Sequence, residues 1–199
     1  MKIFHSAEKH LRTEIEKRFG GRALGTHSLS VAELCVKIAE DLGRPDEERV
    51  KILLAALGHD LFRGYSERGL REYIQARSVP VDSSSWRFGR GLLHAPVAAH
   101  YLRTRVELTD REILTAVYYH TTGRAGATVM DKILFCADYL DTSRIERDNE
   151  EDLGPLRERV SCSLDEVYRE VILRKITHTM KKGRPIHPNA LAAWNEVYF

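Results

Sequence analysis

The dipeptide His59-Asp60 has the clearest chemical potential in this sequence. It follows an apolar run, residues 52–58, and such a run predicts a buried helix. Burying an imidazole and a carboxylate beside it costs free energy unless a partner compensates. A bound cation would do so, because a neutral nitrogen and an anionic oxygen suit Fe, Mn or Zn. A capped helix end is the plainer interpretation of an isolated pair, so the metal hypothesis requires further ligands.

Four more residues of the ligand type lie at comparable positions. His27 and His94 lie near the starts of predicted helices, and His120 lies on the apolar stripe of another. Asp138 falls one turn after Leu134 in a strongly apolar segment. A single inward histidine is more commonly a hydrogen-bonded core residue, but a buried unpaired aspartate is rare. With His59-Asp60, the set supplies four imidazoles and two carboxylates, enough for two metals bridged by Asp60.

These residues need a framework of helices to bring them together. Apolar residues recur at helical spacing in most of the chain, and no segment alternates as a strand would. Pro80 and the serines around it predict a loop near residues 78–85. The fold class is therefore predicted to be all-α. The predicted helices cover residues 6–19, 27–42, 46–60, 70–74, 94–102, 110–120, 129–139, 164–180 and 189–197.

Composition narrows the class of protein. The chain has 199 residues, 43% of them hydrophobic and 30% charged, with a formal net charge of +2. This length favours one domain. The small net charge gives no case for nucleic-acid or membrane binding. No apolar run approaches the roughly 20 residues needed to span a bilayer, and the first residues do not resemble a signal peptide.

The cysteines bear on the compartment. Cys35, Cys136 and Cys162 are far apart and form no CxxC motif. Their apolar, helical surroundings predict three small core residues. An odd number of widely spaced cysteines suits a reducing compartment, so we expect a cytoplasmic protein.

The order His27, His59-Asp60, Asp138 resembles that of the HD-domain metal-dependent phosphohydrolases. The resemblance extends from about residue 24 to the C-terminus. It is more specific to the YqeK-type enzymes, the symmetrical diadenosine tetraphosphate hydrolases of bacteria. The segments that carry it are THSLSVAELC, LLAALGHDLFRG, LLHAPVAAHYL, AVYYHTTGRAG, DKILFCADYLDTSR and IHPNALAAWNE. HTTG followed by DKILFxAD is the most specific of these.

The resemblance implies an HD-domain helical bundle that forms a single domain over residues 1–199. Its core would span about 24–145, with C-terminal helices in 153–199 packed on it. It also implies a centre of two metal ions, usually iron, with Mn, Co or Zn as alternatives. One ion would be held by His27, His59, Asp60 and Asp138, and the other by Asp60, His94 and His120. A homodimer is compatible with these features.

The implied reaction cleaves diadenosine tetraphosphate symmetrically into two ADP. Two cations a few ångströms apart can lower the pKa of a shared water and hold a phosphoryl oxygen for in-line attack. Asp60 and Arg63 are the predicted catalytic residues. The family usually has Lys where this chain has Arg63, and Glu-Pro where it has Asp141-Thr142. All the metal-ligand positions match, so these departures bear on substrate preference.

Other residues could contact the substrate. Arg63, Arg124 and Arg144 closely follow ligand segments and could place positive charge around the transferred phosphoryl group. A solvated surface is their alternative role. Thr121 and Thr122 could orient His120 or touch the substrate, although capping of a helix end explains them equally well.

The loop at 78–90 is a further candidate contact. Trp86 and Phe88 could stack on an adenine, a contact worth about 1–3 kcal/mol, whereas packing on the core is the commoner fate of such side chains.

Two other functions remain open on the sequence. The first is an HD phosphohydrolase for another nucleotide: a nucleoside monophosphate, a dNTP or a cyclic dinucleotide. The second is a non-catalytic module that binds metal or nucleotide. The intact ligand set disfavours the second, because buried charged groups without a metal cost stability.

Overall fold

The computed structural model of the chain describes residues 2–142 and 153–198. Within these ranges it contains ten α-helices, a short 3₁₀ helix at Ser85–Phe88 and no strand, which confirms the all-α prediction. The α-helices are α1 (Lys2–Phe19), α2 (Ala23–Asp41), α3 (Asp46–Gly58), α4 (Glu67–Arg77), α5 (Arg90–Arg105), α6 (Arg111–Tyr119), α7 (Val129–Leu140), α8 (Gly154–Arg159), α9 (Leu164–Lys181) and α10 (Pro188–Tyr198).

Helix α3 lies at the centre of the bundle. It contacts α1, α2, α5, α6 and α7, and Leu54 and Leu57 are completely buried. A helix that is apolar on most of its circumference is buried on most of it, which explains the run at 52–58. The helix ends at Gly58, and His59-Asp60 follow directly in a turn. The central helix therefore delivers the dipeptide into the interior.

Gly58 lets α3 approach α5 closely. A Cβ at this position would lie 2.7 Å from Cδ1 of Leu102 and 2.8 Å from its Cδ2, and the Leu102 side chain is itself fully buried. We expect Gly58→Ala to lower the free energy of unfolding by about 1–3 kcal/mol through overpacking, measured by urea denaturation.

Gly91→Ala is the matched control for Gly58→Ala. Gly91 also lies in a helix, but a Cβ there would meet no atom within 4 Å. Alanine has the higher helix propensity, so stability should be unchanged or rise by up to about 1 kcal/mol. Equal changes in the free energy of unfolding would show that the close approach to Leu102 does not make Gly58→Ala destabilising.

Several helices begin earlier than predicted, and in α2 and α5 this changes the setting of a histidine. Helix α2 starts at Ala23, so His27 lies in its second turn. Helix α5 starts at Arg90, after Gly89 with a φ of +62°, so Pro96 lies inside the helix instead of in its first turn. A proline inside a helix removes one main-chain hydrogen-bond donor. For this reason the sequence predicted Pro96 in the first turn of the helix. The predicted Asp110 cap of α6 is confirmed, since its side chain accepts from the main chain of Glu112 and Ile113.

The C-terminal helices cover one side of the bundle. Helix α9 packs against α7, and α10 packs against α9. Cys35 and Cys136 are buried as predicted, but the prediction for Cys162 is wrong: it is exposed, because it lies in the turn between α8 and α9. Among the described residues, no helix has the length and apolar character needed to cross a membrane.

Candidate metal centre

Six side chains from five helical segments converge in the interior. His27 comes from α2, His94 from α5 and Asp138 from α7, while His59-Asp60 and His120 lie just beyond the C-terminal ends of α3 and α6. All six are buried, with at most 6% of the residue exposed. Every residue predicted as a metal ligand is thus brought into one cluster, which divides into two groups that share Asp60.

The first group contains His27, His59, Asp60 and Asp138, with one candidate ligand atom from each lying within 4.8 Å of the others. Nε2 of His27 is 3.2 Å from Oδ1 of Asp138 and 3.7 Å from Oδ2 of Asp60. Nε2 of His59 is 3.7 Å from the same Asp60 oxygen. Two imidazole nitrogens and two carboxylates therefore face one point.

The second group uses the other oxygen of Asp60. Oδ1 is 3.0 Å from Nε2 of His94 and 3.4 Å from Nε2 of His120, and these two nitrogens are 3.2 Å apart. The Asp60 carboxylate thus presents Oδ2 to one group and Oδ1 to the other. This is the arrangement that a bridging carboxylate between two cations requires.

Hydrogen bonds on the outer side of three rings decide which nitrogen faces inward. Nδ1 of His59 donates to the Ala56 carbonyl at 2.6 Å, and Nδ1 of His120 donates to the Val117 carbonyl at 2.8 Å. Because a carbonyl only accepts, Nδ1 carries the proton and Nε2 keeps a lone pair. In His27, Nδ1 lies 2.7 Å from Oδ2 of Asp141. Outer bonds of this kind orient histidines that ligate metals.

A buried nitrogen of His59 indicates that the cluster fits a cation. Nε2 of His59 is buried and has no hydrogen-bond partner among the described residues. A buried polar atom without a partner is costly, and a cation at the shared point would satisfy this lone pair. Imidazole and carboxylate donors suit divalent transition metals. The cluster is therefore a candidate centre for divalent metal ions.

The protonation states are those that ligation requires. Burial lowers the pKa of His59 to about 4 and also lowers the pKa of His120. For Asp60, burial alone would raise the pKa. The imidazoles of His59, His120 and His94, which face its two oxygens, outweigh burial and hold the pKa well below its usual range. At neutral pH, His59 and His120 are neutral and Asp60 is ionised.

These pKa values predict how the metal-free protein responds to acid. The pKa of His59 is about 4 in the native state against 6.5 ordinarily, so between these values the unfolded chain binds more protons than the native one. Stability contributed by the neutral ring is therefore complete above pH 6.5 and is lost as the pH falls towards 4. His59 alone should remove about 2 kcal/mol of unfolding free energy between pH 7 and pH 5.

Urea denaturation of the chelator-treated protein at several pH values would measure this loss. His178 is exposed, and His178→Ala should leave the pH profile unchanged. A profile that is flat, or that rises as the pH falls, would contradict the neutral state of His59.

Arg63 lies at the second group. Its Nη1 is 3.3 Å from Nε2 and 3.5 Å from Nδ1 of His94. The guanidinium is partly exposed, whereas the His94 ring is fully buried. Arg63 therefore lies between the buried cluster and solvent.

The other predicted substrate contacts have different surroundings. Thr121 and Thr122 line a cavity of about 120 Å³ that begins next to His120, and the Thr122 hydroxyl also donates to the Gly123 carbonyl. Arg124 is occupied elsewhere, because its Nη2 is 2.6 Å from Oδ2 of Asp131 in the first turn of α7. Arg144 lies outside the described residues.

The same cavity receives part of the 78–90 loop. Its lining includes Phe88, Phe135, Lys175 and His187. The His187 ring lies 4.9 Å from that of Phe88, and its Nε2 contacts Oγ of Ser85 and Oδ2 of Asp82, both at 3.2 Å. The loop is thereby fastened to the start of α10.

Trp86 does not line this cavity. Its indole lies under the Arg71 guanidinium, with 5.1 Å between that carbon and the ring centre.

Asp141 is the functional candidate that sequence reasoning missed. It is 5% exposed and accepts hydrogen bonds from Nδ1 of His27 at 2.7 Å and from Oγ of Ser30 at 2.5 Å. From the sequence, Asp141 was noted only as part of a departure from the Glu-Pro that the family usually has. Its position three residues after Asp138, on the same helical face, is the signal that could have identified it.

An all-α bundle in which histidines and an adjacent His-Asp pair meet a distant aspartate defines the HD class of metal-dependent hydrolase folds. The HD domain family model matches residues 24–143, and the chain belongs to this family.

Curated relatives agree with this family assignment. A protein of Halalkalibacterium halodurans named bis(5'-nucleosyl)-tetraphosphatase, symmetrical, is 30% identical over 171 residues, which is 86% of this chain and 87% of the relative. Proteins of the same name from Bacillus subtilis and Staphylococcus aureus are 27% identical over 169 residues and 36% identical over 129. These two alignments cover 85% and 65% of this chain, and 86% and 61% of the respective relatives.

A solved structure shares the fold. It is described as a predicted HD superfamily hydrolase involved in NAD metabolism from Clostridium acetobutylicum. It superposes with a TM-score of 0.78 at 21% identity and covers 96% of both chains. At this identity the likeness shows the fold alone.

Proposed function

We propose that the protein hydrolyses diadenosine tetraphosphate symmetrically into two ADP, using two metal ions. The observation that carries this proposal is the Asp60 carboxylate, which turns Oδ2 towards His27 and His59 and Oδ1 towards His94 and His120. A single carboxylate shared by two ligand groups suits a pair of cations. The curated relatives named symmetrical tetraphosphatases support the choice of substrate.

The six clustered residues would hold the metals. His27, His59, Asp60 and Asp138 would hold one ion, and Asp60, His94 and His120 the other. Bound ions would supply Lewis-acid polarisation of a phosphoryl oxygen and activation of a water. Iron is the proposed native metal, with Mn, Co and Zn as alternatives of similar ligand preference.

Arg63 is the proposed catalytic side chain beside the metals. Cleavage of a phosphoanhydride moves negative charge onto the transferred and leaving oxygens, and a fixed cation stabilises that charge. The Arg63 guanidinium lies 3.3 Å from the His94 ring at the partly exposed edge of the cluster. Its planar fork can hold two oxygens of one phosphate group.

One adenosine half is proposed to occupy the cavity beside His120. Thr121 and Thr122 follow His120 directly and line the cavity. The N–H and hydroxyl of Thr122 already donate to the Tyr119 and Gly123 carbonyls, which favours Thr121 as the contact for phosphate oxygens. The aromatic walls from Phe88 and Phe135 suit a purine. Lys175, whose Nζ lies 4.0 Å from the Phe135 ring centre, adds positive charge there. The engagement of Trp86 with Arg71 favours Phe88 as the residue nearest the base.

The register of the substrate decides the products. Two ADP form only when water attacks an inner phosphorus and ADP leaves. Hydrolysis in ¹⁸O-labelled water, followed by mass spectrometry of the nucleotides, tests this. We expect ADP as the sole product, with one labelled ADP for each unlabelled one.

AMP plus ATP as the main products would overturn the symmetrical assignment. Faster turnover of a nucleoside monophosphate, a dNTP or a cyclic dinucleotide would indicate the alternative HD phosphohydrolase. Metal-loaded protein that hydrolyses none of them would indicate a binding module.

The wider setting is also part of the proposal. We propose a single domain over residues 1–199 that acts in the cytoplasm on a small nucleotide, supported by the packing of α9 on α7 and of α10 on α9. A homodimer stays a prediction, which sedimentation velocity would test.

A further inference from the structure

A second cavity lies between α5, α6 and the start of the 78–90 loop. Its volume is about 270 Å³, close to the lower end of the range for small-molecule sites, about 300–1,000 Å³. Pro80, Pro96, Ala99, Leu114 and Tyr118 form its apolar part. The Tyr118 hydroxyl accepts from the main-chain N–H of Asp82 at 3.1 Å, which holds the loop as one wall of the cavity.

This cavity lies on the side of the two helices that faces away from the metal centre. Pro96, Ala99 and Arg103 follow His94 in α5 by two, five and nine positions. At about 100° per residue, they project roughly 140–180° away from the His94 side chain. On α6, Leu114 and Tyr118 are likewise displaced from His120. A ligand here would contact the helices that carry two candidate metal ligands without touching the metals.

The rim of the cavity is basic. His100, Arg103 and Arg111 line it, and its lining includes no acidic residue. Arg103 and Arg111 are exposed, and neither forms an ion pair with an acidic residue in the described ranges. The acids on either side of Arg111, Asp110 and Glu112, face Lys51, whose Nζ is 2.8 Å and 3.9 Å from their carboxylates.

Several arginines of this protein are neutralised by acidic residues of the chain. Arg12, Arg44, Arg49 and Arg68, for example, are all paired with glutamate or aspartate. In the described ranges Arg103 and Arg111 are not, so their exposed guanidinium groups beside the apolar cavity are available to an anion from outside the chain.

We propose that this cavity is a second nucleotide site that takes a nucleoside diphosphate. The diphosphate would bind Arg103 and Arg111, whose planar groups suit phosphate oxygens. The base would lie against Leu114, Tyr118 and the prolines. The apolar part favours a nucleotide over a free phosphate, because inorganic anions gain nothing from it. The site does not depend on the proposed substrate.

Isothermal titration of the metal-loaded protein with ADP tests this site. The variant is Arg103→Ala with Arg111→Ala, and Arg169→Ala is the matched control, an exposed arginine on α9. The double variant should bind one ADP fewer per chain than the control, or bind that ADP at least tenfold more weakly. This difference is expected whether or not ADP also binds at the metal centre. It can therefore be measured even if the proposed function is wrong.

Two ligand controls separate a nucleotide from a simple anion. Pyrophosphate and adenosine should each compete for the Arg103-dependent site at least tenfold more weakly than ADP. Pyrophosphate that binds as tightly as ADP would overturn the nucleotide assignment. Equal ADP stoichiometry and affinity in the double variant and in Arg169→Ala would overturn the site itself. Thermal unfolding of both variants verifies that the fold is intact.

Discussion

Asp60→Asn should remove both metal ions and abolish hydrolysis of diadenosine tetraphosphate. Asparagine has nearly the same shape but lacks the negative charge, and its amide nitrogen cannot coordinate a cation. Since both Asp60 oxygens face ligand groups, the loss should affect both ions together. Loss of a residue that only orients a ligand costs about 10–100-fold in metal affinity, so loss of the shared ligand should cost more. Elemental analysis and a product assay would measure the two effects.

Asp165→Asn is the control for this substitution. Asp165 is an exposed aspartate at the start of α9 that pairs with Lys132, and its loss should alter neither metal content nor activity. A variant of Asp60 that keeps two ions per chain, or that loses only one, would refute its role as a shared ligand. Circular dichroism should show the same helix content in both variants.

Asp141→Ala should weaken metal binding by about 10–100-fold while the helices stay folded. The substitution removes the acceptor for Nδ1 of His27, so the ring loses its fixed proton position and its orientation towards Asp138. Asp141→Asn keeps a carbonyl oxygen that can accept from His27, and it should therefore lose less affinity than the alanine variant. Competition with a chelator of known affinity would rank the three proteins.

Ser30→Ala provides an internal comparison for Asp141. Ser30 donates to the other oxygen of Asp141, so its loss should have a smaller effect in the same direction. If Asp141→Ala left the metal affinity unchanged but lowered the thermal stability, Asp141 would be a structural residue and would not position His27.

Periodicity predicted most of the helical framework, because the pattern and the packing agree, but it missed α8. The run at 52–58 is apolar around most of the helix, and α3 is surrounded by five other helices. The same reasoning found the six clustered side chains, since each lay at a helix end or on an apolar face. Their resemblance to the HD phosphohydrolases was confirmed at the level of the family.

Long-range contacts set the limit of that prediction. The pairing of His27 with Asp141 joins residues 114 positions apart, and local periodicity carries no information about such a distance. Arg124 was a candidate for phosphate because it follows His120, yet it bonds Asp131 in the first turn of α7. The prediction for Cys162 failed for a related reason. Its neighbours in sequence are apolar, but the residue lies in an exposed turn.

The outward bonds of His59 and His120 have a consequence for how freely the protein can vary. Their acceptors are the main-chain oxygens of Ala56 and Val117, which every amino acid provides. The side chains of Ala56 and Val117 are completely buried, so a saturation library at these two positions should be filtered by size and polarity, and not by the ability to accept a hydrogen bond. At Asp141 the acceptor belongs to the side chain, and the same library should be filtered by chemistry, retaining oxygen acceptors of suitable length. The orientation of the His59 and His120 rings therefore does not depend on which amino acid accepts their outer hydrogen bonds. The orientation of His27 depends on the side chain of one distant residue, Asp141.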